Sequence, residues 1–251
     1  MHKLSVFSIF KNETHCMKEW IEHYIFHGVD HFYLINDNSD DNFLDILNPY
    51  IEKGVVTLFN TRWDYYLGRQ KDIYNHYVLP RIKESKWLLL VDMDEFMWSP
   101  KEIDITKILD VCSGIGQIQV EHSLYGSNGC VKQPKSLVQS FTKRSIQQPT
   151  STPIGNRKYF INSDFEFTSL NIHHATFLNK KDELEKFILL DKEYFIMNHY
   201  NCQSRNFWNE VKCKRGDADN YLIRKPEDFN RLDVNDVEDL GLFNQNLSLF
   251  T

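Results

Sequence analysis

The sequence has no C-x-x-C pair. Its five cysteines, Cys16, Cys112, Cys130, Cys202 and Cys213, are odd in number and scattered, which argues against an oxidised, secreted protein. They read as reduced thiols of a cytosolic chain. No apolar stretch approaches the ~20 residues of a membrane span, so anything embedded in a membrane would have to be reached from the water side. After Met1 the apolar run Leu4–Phe10 is short and reads as a strand rather than a targeting segment. Positive charge is also in short supply: 29 Lys and Arg against 35 Asp and Glu leave a net charge of −6. A weakly acidic chain does not gather nucleic acid through its overall field, so an anionic ligand needs a local basic cluster or a metal. There is no internal repeat, low-complexity tract or clear linker, which favours one domain. What is present is core material, with 41% hydrophobic and 14% aromatic residues, and disorder is excluded as an overall description.

The first half alternates strand and helix patterns. Leu4–Phe10, His31–Ile35 and Val55–Phe59 read as strands. Between the first two, Cys16, Met17, Trp20, Ile21, Tyr24 and Ile25 have helical spacing, with Thr14 as the expected cap and Gly28 as the stop. Phe43, Leu44 and Leu47 mark a short helix expected to end at Pro49. Arg69–Ser85 reads as a helix kinked or shortened by Pro80. Trp87–Val91 is fully apolar, as in the central strand of a parallel sheet. Repeated βα units of this kind predict a doubly wound α/β domain. In the second half, strands are expected at Gln117–Val120, Leu137–Phe141, Lys158–Ile161, Leu170–His174 and Phe195–His199. Ser123–Gly129 and Gln147–Asn156 read as loops, and Ser204–Lys214 as a helix stopped by Gly216, with Phe207, Trp208 and Val211 packed. Pro226–Asp239 reads as an acidic, peripheral tail.

The apolar run Trp87–Val91 leads directly into Asp92-Met93-Asp94-Glu95-Phe96. In open α/β sheets ligands bind beyond the carboxyl ends of the strands. Alternation along an extended chain puts Asp92 and Asp94 on one side and Met93 on the other. Two such carboxylates repel unless a cation lies between them. Magnesium or manganese takes carboxylate oxygens and keeps positions open for phosphate oxygens. D-x-D spacing recurs by chance; its position behind an all-apolar strand favours a metal-bound diphosphate over a solvated acidic turn.

Other candidates have two readings each. Asp37, in the polar turn Asn36–Asp41, can accept from a nucleoside, or the run is only a turn in which Ser39 or Asp41 caps the next helix. His199 closes a strand and is either a further metal ligand or a hydrogen-bonded core histidine. Lys212 and Arg215 share a helix face and either neutralise a diphosphate leaving group or form a solvated helix end. His173 and His174 either reach the site or are ordinary strand positions.

Taken in order, these residues resemble glycosyltransferase family 92 and related bacterial and viral enzymes of the GT-A class. The resemblance runs from about residue 5 to residue 216. It is carried by Lys11-Asn12-Glu13, Lys18-Glu19-Trp20-Ile21-Glu22-His23, Gly28-Val29-Asp30-His31-Phe32-Tyr33 and the turn through Asp37, Asn38, Ser39 and Asp41. Gln70, Asn75, Asp92-Met93-Asp94-Glu95-Phe96, Tyr125-Gly126-Ser127-Asn128-Gly129 and Lys158-Tyr159 continue it. His199-Tyr200, Ser204, Phe207, Lys212, Arg215 and Gly216 complete it. The resemblance implies a Rossmann-like GT-A fold with a mostly parallel sheet. It implies a UDP-sugar donor (galactose first), a manganese or magnesium ion, a glycan or glycolipid acceptor and inversion at the anomeric carbon. On it, Asn12, Glu13, Asp37 and Gln70 surround the nucleotide sugar, Asp92 and Asp94 bind the metal (Asp94 more directly), and Lys212 and Arg215 face the diphosphate. One-step inversion needs a base opposite the leaving group; Glu121 is the first candidate and Asp164 the second.

The expected organisation is a domain over residues 1–216, nucleotide-binding in 1–96 and acceptor- and sugar-binding in 97–216, followed by a peripheral segment 217–251. The expected role is cytoplasmic polysaccharide or glycan assembly, with peripheral membrane association through the acceptor. A sugar nucleotidyltransferase is one rival, but the place of its Gly-rich loop holds Lys11-Asn12-Glu13-Thr14. A non-catalytic carbohydrate-binding module is another; it would need neither D-x-D nor the distal basic pair.

Overall fold

The computed structural model describes residues 1–146, 157–220 and 224–250; the loop expected at Gln147–Asn156 lies outside these apart from its neighbours. Strand β1 (His2–Phe10) leads into α1 (Thr14–Phe26), β2 (His31–Asp37), α2 (Phe43–Glu52), β3 (Val56–Thr61), α3 (Arg69–Tyr77) and β4 (Ser85–Leu90). The four strands are parallel, in the order β3-β2-β1-β4. Strand order reverses at β1, so a crevice opens beyond the carboxyl ends of β1 and β4. Every residue of β2 is buried, since helices and loops cover both faces. One core face joins Val6, Phe32 and Leu89 to Trp20 and Ile21 of α1; the other joins Phe7, Tyr33 and Leu88 to Ile73 of α3.

The remaining elements are β5 (Glu95–Trp98), α4 (Thr106–Val111), β6 (Gln117–Leu124), α5 (Leu137–Ser140), β7 (Lys143–Arg144), β8 (Arg157–Asn162), β9 (Phe167–Leu170), β10 (Ala175–Phe177), α6 (Lys180–Glu185), β11 (Phe187–Leu190) and β12 (Ile196–His199). Among the described residues the central sheet has nine strands in the order β3-β2-β1-β4-β8-β6-β12-β5, with β11 beside β6. Strands β8 and β5 run against the rest. This is the mostly parallel, helix-flanked α/β sheet that was expected, in a single compact domain.

Four local expectations are corrected. Thr14 is the first residue of α1 and does not cap it; its N–H is taken instead by Asp41 Oδ2 at 3.0 Å, from the neighbouring turn. Pro49 does not end α2, because Tyr50 and Ile51 continue the apolar stripe onto the core and the exposed side loses only one carbonyl partner. Leu137–Phe141 forms a helical turn, not a strand. The Glu19 carboxylate accepts from Leu137 N at 2.7 Å and Val138 N at 3.2 Å, satisfying N–H groups that a helix start leaves bare. The strand expected at Leu170–His174 stops at Leu170, and residues 171–174 turn back into β10. Pro80 acts as expected: α3 ends at Tyr77 and a 3₁₀ segment, Leu79–Glu84, follows.

The helix expected at 204–214 forms as Arg205–Phe207, a π turn Trp208–Lys212 and Cys213–Arg215. Ser204 caps it, accepting from Phe207 N at 3.2 Å. Gly216 stops it at φ +71°, a conformation glycine tolerates. Beyond it, Phe229 and Leu242 are buried, and the carboxylates of Asp233 and Asp239 are tied to the domain. Asp233 accepts from Ser127 N at 2.6 Å, and Asp239 accepts from Arg144 Nε at 2.7 Å. Among the described residues no helix is long and apolar enough to cross a membrane.

Asn246 bridges two buried histidines of α1 and its end, lying 3.0 Å from a ring nitrogen of His23 and 3.0 Å from one of His27. Burial pushes both imidazoles below their usual 6.5, aided for His23 by the neighbouring His27. The unfolded chain therefore takes up protons below that value where the folded chain does not, and stability is lost as pH falls through it. Urea unfolding midpoints should drop between about pH 8 and about pH 5.5, and less so in a His23→Gln His27→Gln double variant. An equal drop in both proteins would contradict this origin.

Candidate active site

Three carboxylates arrive together where β4 ends. Val91 N–H bonds Phe7 O at 3.1 Å, the last link to β1, and the chain then turns. Asp92 N–H donates to Glu95 Oε2 at 2.8 Å, and Glu95 N–H donates to Asp92 O at 3.1 Å. Asp92 and Asp94 both line a cavity of about 350 Å³. Met93 is buried in the main hydrophobic core, as expected of a side chain that faces away, although residues 92–95 form a turn rather than an extended strand.

Each acid meets a buried cation. Lys158 of β8 is 1% exposed and places Nζ 2.8 Å from Asp92 Oδ2 and 3.3 Å from Glu95 Oε2. Lys212 Nζ donates to Asp94 and, at 2.5 Å, to Asn201 O. His199 Nε2 lies 3.5 Å from Asp94 Oδ1, and its Nδ1 lies 3.2 Å from His122 Nδ1. Burial works to raise the Asp94 pKa, but Lys212 and His199 outweigh it and hold the carboxyl well below its usual range. Glu95 is different: burial pushes it up to about 7 despite Lys158, with Asp92 adding to the rise. Lys158 itself is held charged, because Asp92 and Glu95 overcome its own burial.

The β1–α1 turn forms the adjoining wall. Arg215 donates to Glu13, to Lys11 O and, at 3.4 Å, to Asn12 O. Asn12 is a brace rather than a lining residue. It sits at φ +55°, accepts from Asp40 N at 2.9 Å and donates its own N–H to Ser39 Oγ at 3.1 Å. Ser39 and Asp41 therefore bond back to the β1–α1 turn, and α2 has no side-chain cap. Asp37 lines the cavity, yet both its oxygens are engaged by Arg69, which is 1% exposed. Gln70 also lines the cavity; its side chain donates to Tyr74 OH at 2.8 Å.

The structure thus brings together Glu13, Asp37, Gln70, Asp92, Asp94, His199, Lys212 and Arg215 around one cavity, with His173. It leaves out Glu121 and Asp164, the two candidate bases, and His174. Glu121 alternates with the cavity-lining His122 along β6, so it points to the other face, where Arg157 Nη2 meets it at 3.3 Å. Asp164 follows β8, whose antiparallel course carries it to the opposite end of the sheet, paired with Lys86. Sequence reading missed Lys158, His122 and Arg69 as site residues. For Lys158 the available signals were its place at the head of an apolar run and in the family resemblance.

The donor set suits a divalent cation. Asp94 and His199 offer oxygen and nitrogen atoms 3.5 Å apart, and Glu95 Oε1 is buried without a hydrogen-bond partner. The nearest nitrogens of His122 and His199 and a Glu95 oxygen all fall within 4.8 Å of one another. Carboxylate and imidazole together fit manganese or magnesium better than a soft metal.

The Asp37–Arg69 pair is buried, so removing one partner strands the other charge. Asp37→Ala should lower the unfolding free energy by about 3–5 kcal/mol, read from urea denaturation. A change under about 1 kcal/mol, the range of an exposed pair, would show that Arg69 finds solvent.

The profile of glycosyltransferase family 92 matches residues 5–235. A family 92 protein of Oryza sativa subsp. japonica is 24% identical over 217 residues, covering 85% of this chain and 35% of that protein. Galactan beta-1,4-galactosyltransferase GALS2 of Arabidopsis thaliana is 23% identical over 176 residues, covering 66% of this chain and 34% of its own. The chain therefore spans about a third of the length of these relatives. Among solved structures, S. aureus TarS 1-349 in complex with UDP gives a TM-score of 0.44 at 14% identity, covering 82% of this chain and 62% of that 1-349 chain. With the profile extending over most of the sequence, the chain belongs to glycosyltransferase family 92.

Proposed function

We propose that the chain is an inverting, metal-dependent glycosyltransferase that moves a sugar from a UDP-sugar to a glycan or glycolipid acceptor. The observation that carries this reading is the cavity at the carboxyl ends of β1 and β4, lined by Asp92 and Asp94 together with Lys212, which meets Asp94, and Arg215, both from a distant helix. Asp94, His199 and Asp92 would hold manganese or magnesium, which supplies charge neutralisation for a diphosphate. Lys212 and Arg215 would offset the negative charge that develops on the leaving UDP, a stabilisation that acts most strongly away from water. Glu13 and Gln70 line the wall where the nucleoside would lie, with Asp37 held rigid by Arg69. Galactose is the donor sugar favoured here, supported by the family and by the galactosyltransferase names of the Arabidopsis relatives. The proposed setting is glycan or polysaccharide assembly on the cytoplasmic side of a membrane, visited peripherally.

Product analysis tests the reaction class: with UDP-galactose and manganese, UDP and a glycosylated acceptor or free galactose should appear. Pyrophosphate would indicate nucleotidyl transfer instead, and no thermal stabilisation by UDP with manganese would indicate a silent binding module. Asp94→Ala should abolish both turnover and manganese-stimulated UDP binding. Near-native turnover in that variant would end the metal assignment.

A further inference from the structure

The cavity contains acids in abundance, but none is placed as a free base. Glu13 is held by Arg215, Asp37 by Arg69, Asp92 by Lys158 and Asp94 by Lys212. Asp217 pairs with Arg224 at 3.1 Å and accepts from Ala218 N at 2.8 Å. Glu95 is fully buried behind Lys158. His199 is engaged with Asp94 and His122. A carboxylate gripped by a cation is a weak proton acceptor, because the cation favours the ionised form.

His173 is built differently. It lies in the 171–174 turn between β9 and β10 and lines the cavity. Its Nδ1 is 2.9 Å from Arg157 O, a contact that only an N–H can satisfy, so the tautomer is set and Nε2 carries the lone pair. Among the described residues Nε2 has no hydrogen-bond partner. The turn is pinned on three sides. Gln119 Nε2 donates to His173 O at 2.9 Å, Tyr159 OH donates to Asn171 O at 2.6 Å, and Asn171 N–H donates to His174 O at 2.8 Å. A backbone carbonyl orienting an imidazole from behind is the arrangement a general base needs. Burial and the nearby Lys158 also push the ring below its usual 6.5, so it is neutral at neutral pH.

We propose that His173 is the general base of the transfer, resting on the glycosyltransferase reading above. Its Nε2 takes the acceptor hydroxyl proton as that oxygen bonds to the anomeric carbon. The bond from that carbon to the diphosphate oxygen breaks at the same time, and its electron pair leaves with UDP.

The test compares wild type with His173→Gln, His173→Ala and, as a control, His174→Gln, using UDP-galactose hydrolysis with manganese and calorimetric binding of UDP. For His173→Gln, kcat should fall by about 100-fold or more while UDP affinity stays within about twofold. Added imidazole should restore part of the activity of His173→Ala, and the acid limb of the wild-type pH profile should vanish in the glutamine variant. His174→Gln should behave as wild type. A glutamine variant with kcat within about threefold and an unchanged pH profile would overturn the assignment. So would loss of UDP binding in parallel with turnover, which would make His173 a structural residue. Wild-type protein that binds UDP with manganese yet hydrolyses or transfers no UDP-sugar would instead sink the glycosyltransferase reading, and the base with it.

Discussion

Bringing Asp92, Asp94 and Glu95 to one strand end sets up repulsion that has to be offset before anything else can work. Two ionised carboxylates 4–5 Å apart repel by roughly 3–4 kcal/mol at an effective dielectric near 20, a sizeable part of a domain's whole stability. The chain answers with two buried ammonium groups, Lys158 beside Asp92 and Glu95, and Lys212 beside Asp94. Neither lysine would be tolerated there alone, since each is almost wholly excluded from water. Acids and lysines therefore justify one another's burial, and the elements that carry them have to be where they are. Glu95, the acid without a full share of cation, carries the raised pKa.

That constraint explains features of the fold that hydrophobic packing alone would leave arbitrary. The antiparallel insertion of β8 between β4 and β6 sets Tyr159 opposite Leu90, so Lys158 falls just beyond the end of β4. The π turn at Trp208–Lys212 adds a residue to the helical winding, and the buried Lys212 closes it while Arg215 continues on to Glu13. Two cations three residues apart thus reach acids from two different strand ends. The polar turns after β1 and β2 are sewn together by Asn12, Ser39, Asp40 and Asp41, so the wall opposite the D-x-D turn is as fixed as the turn itself.

The parallel half of this arrangement was legible in the sequence because its physics is local. Apolar runs of strand length alternate with helical stripes, and the acids follow the most apolar run directly. Long-range pairing was not legible. Whether Glu121 or His122 faces the cavity depends on the register of β6 with β8 and β12, and a shift of one residue would exchange them. Asp164 looked available only until β8 proved antiparallel. Lys158 is the second residue of β8, near a strand end where a lysine ordinarily marks an exposed edge; it is buried because Asp92, sixty-six residues earlier, pairs with it. Leu137–Phe141 carries a strand-like pattern, but Glu19, a hundred and eighteen residues away, supplies the N-terminal acceptor that makes a helical turn the better solution.

The charge balance also limits what the cavity can take in. Six carboxylates line it, and five cationic side chains, Lys11, Lys158, Lys212, Arg215 and Arg224, stand against them. With Glu95 titrating near 7, the lining is close to neutral at physiological pH. Such a lining draws in neither a bare diphosphate nor a bare divalent cation by long-range field. A nucleotide entering alone would have to draw Lys212 from Asp94, and a cation entering alone would have to displace the same lysine. Entering together, each would supply the partner the other removes: Asp94 would be left to the cation if Lys212 turned to phosphate. On the proposed reading, the internal ion pairs would make metal and nucleotide mutually dependent ligands, because Lys212 already occupies Asp94.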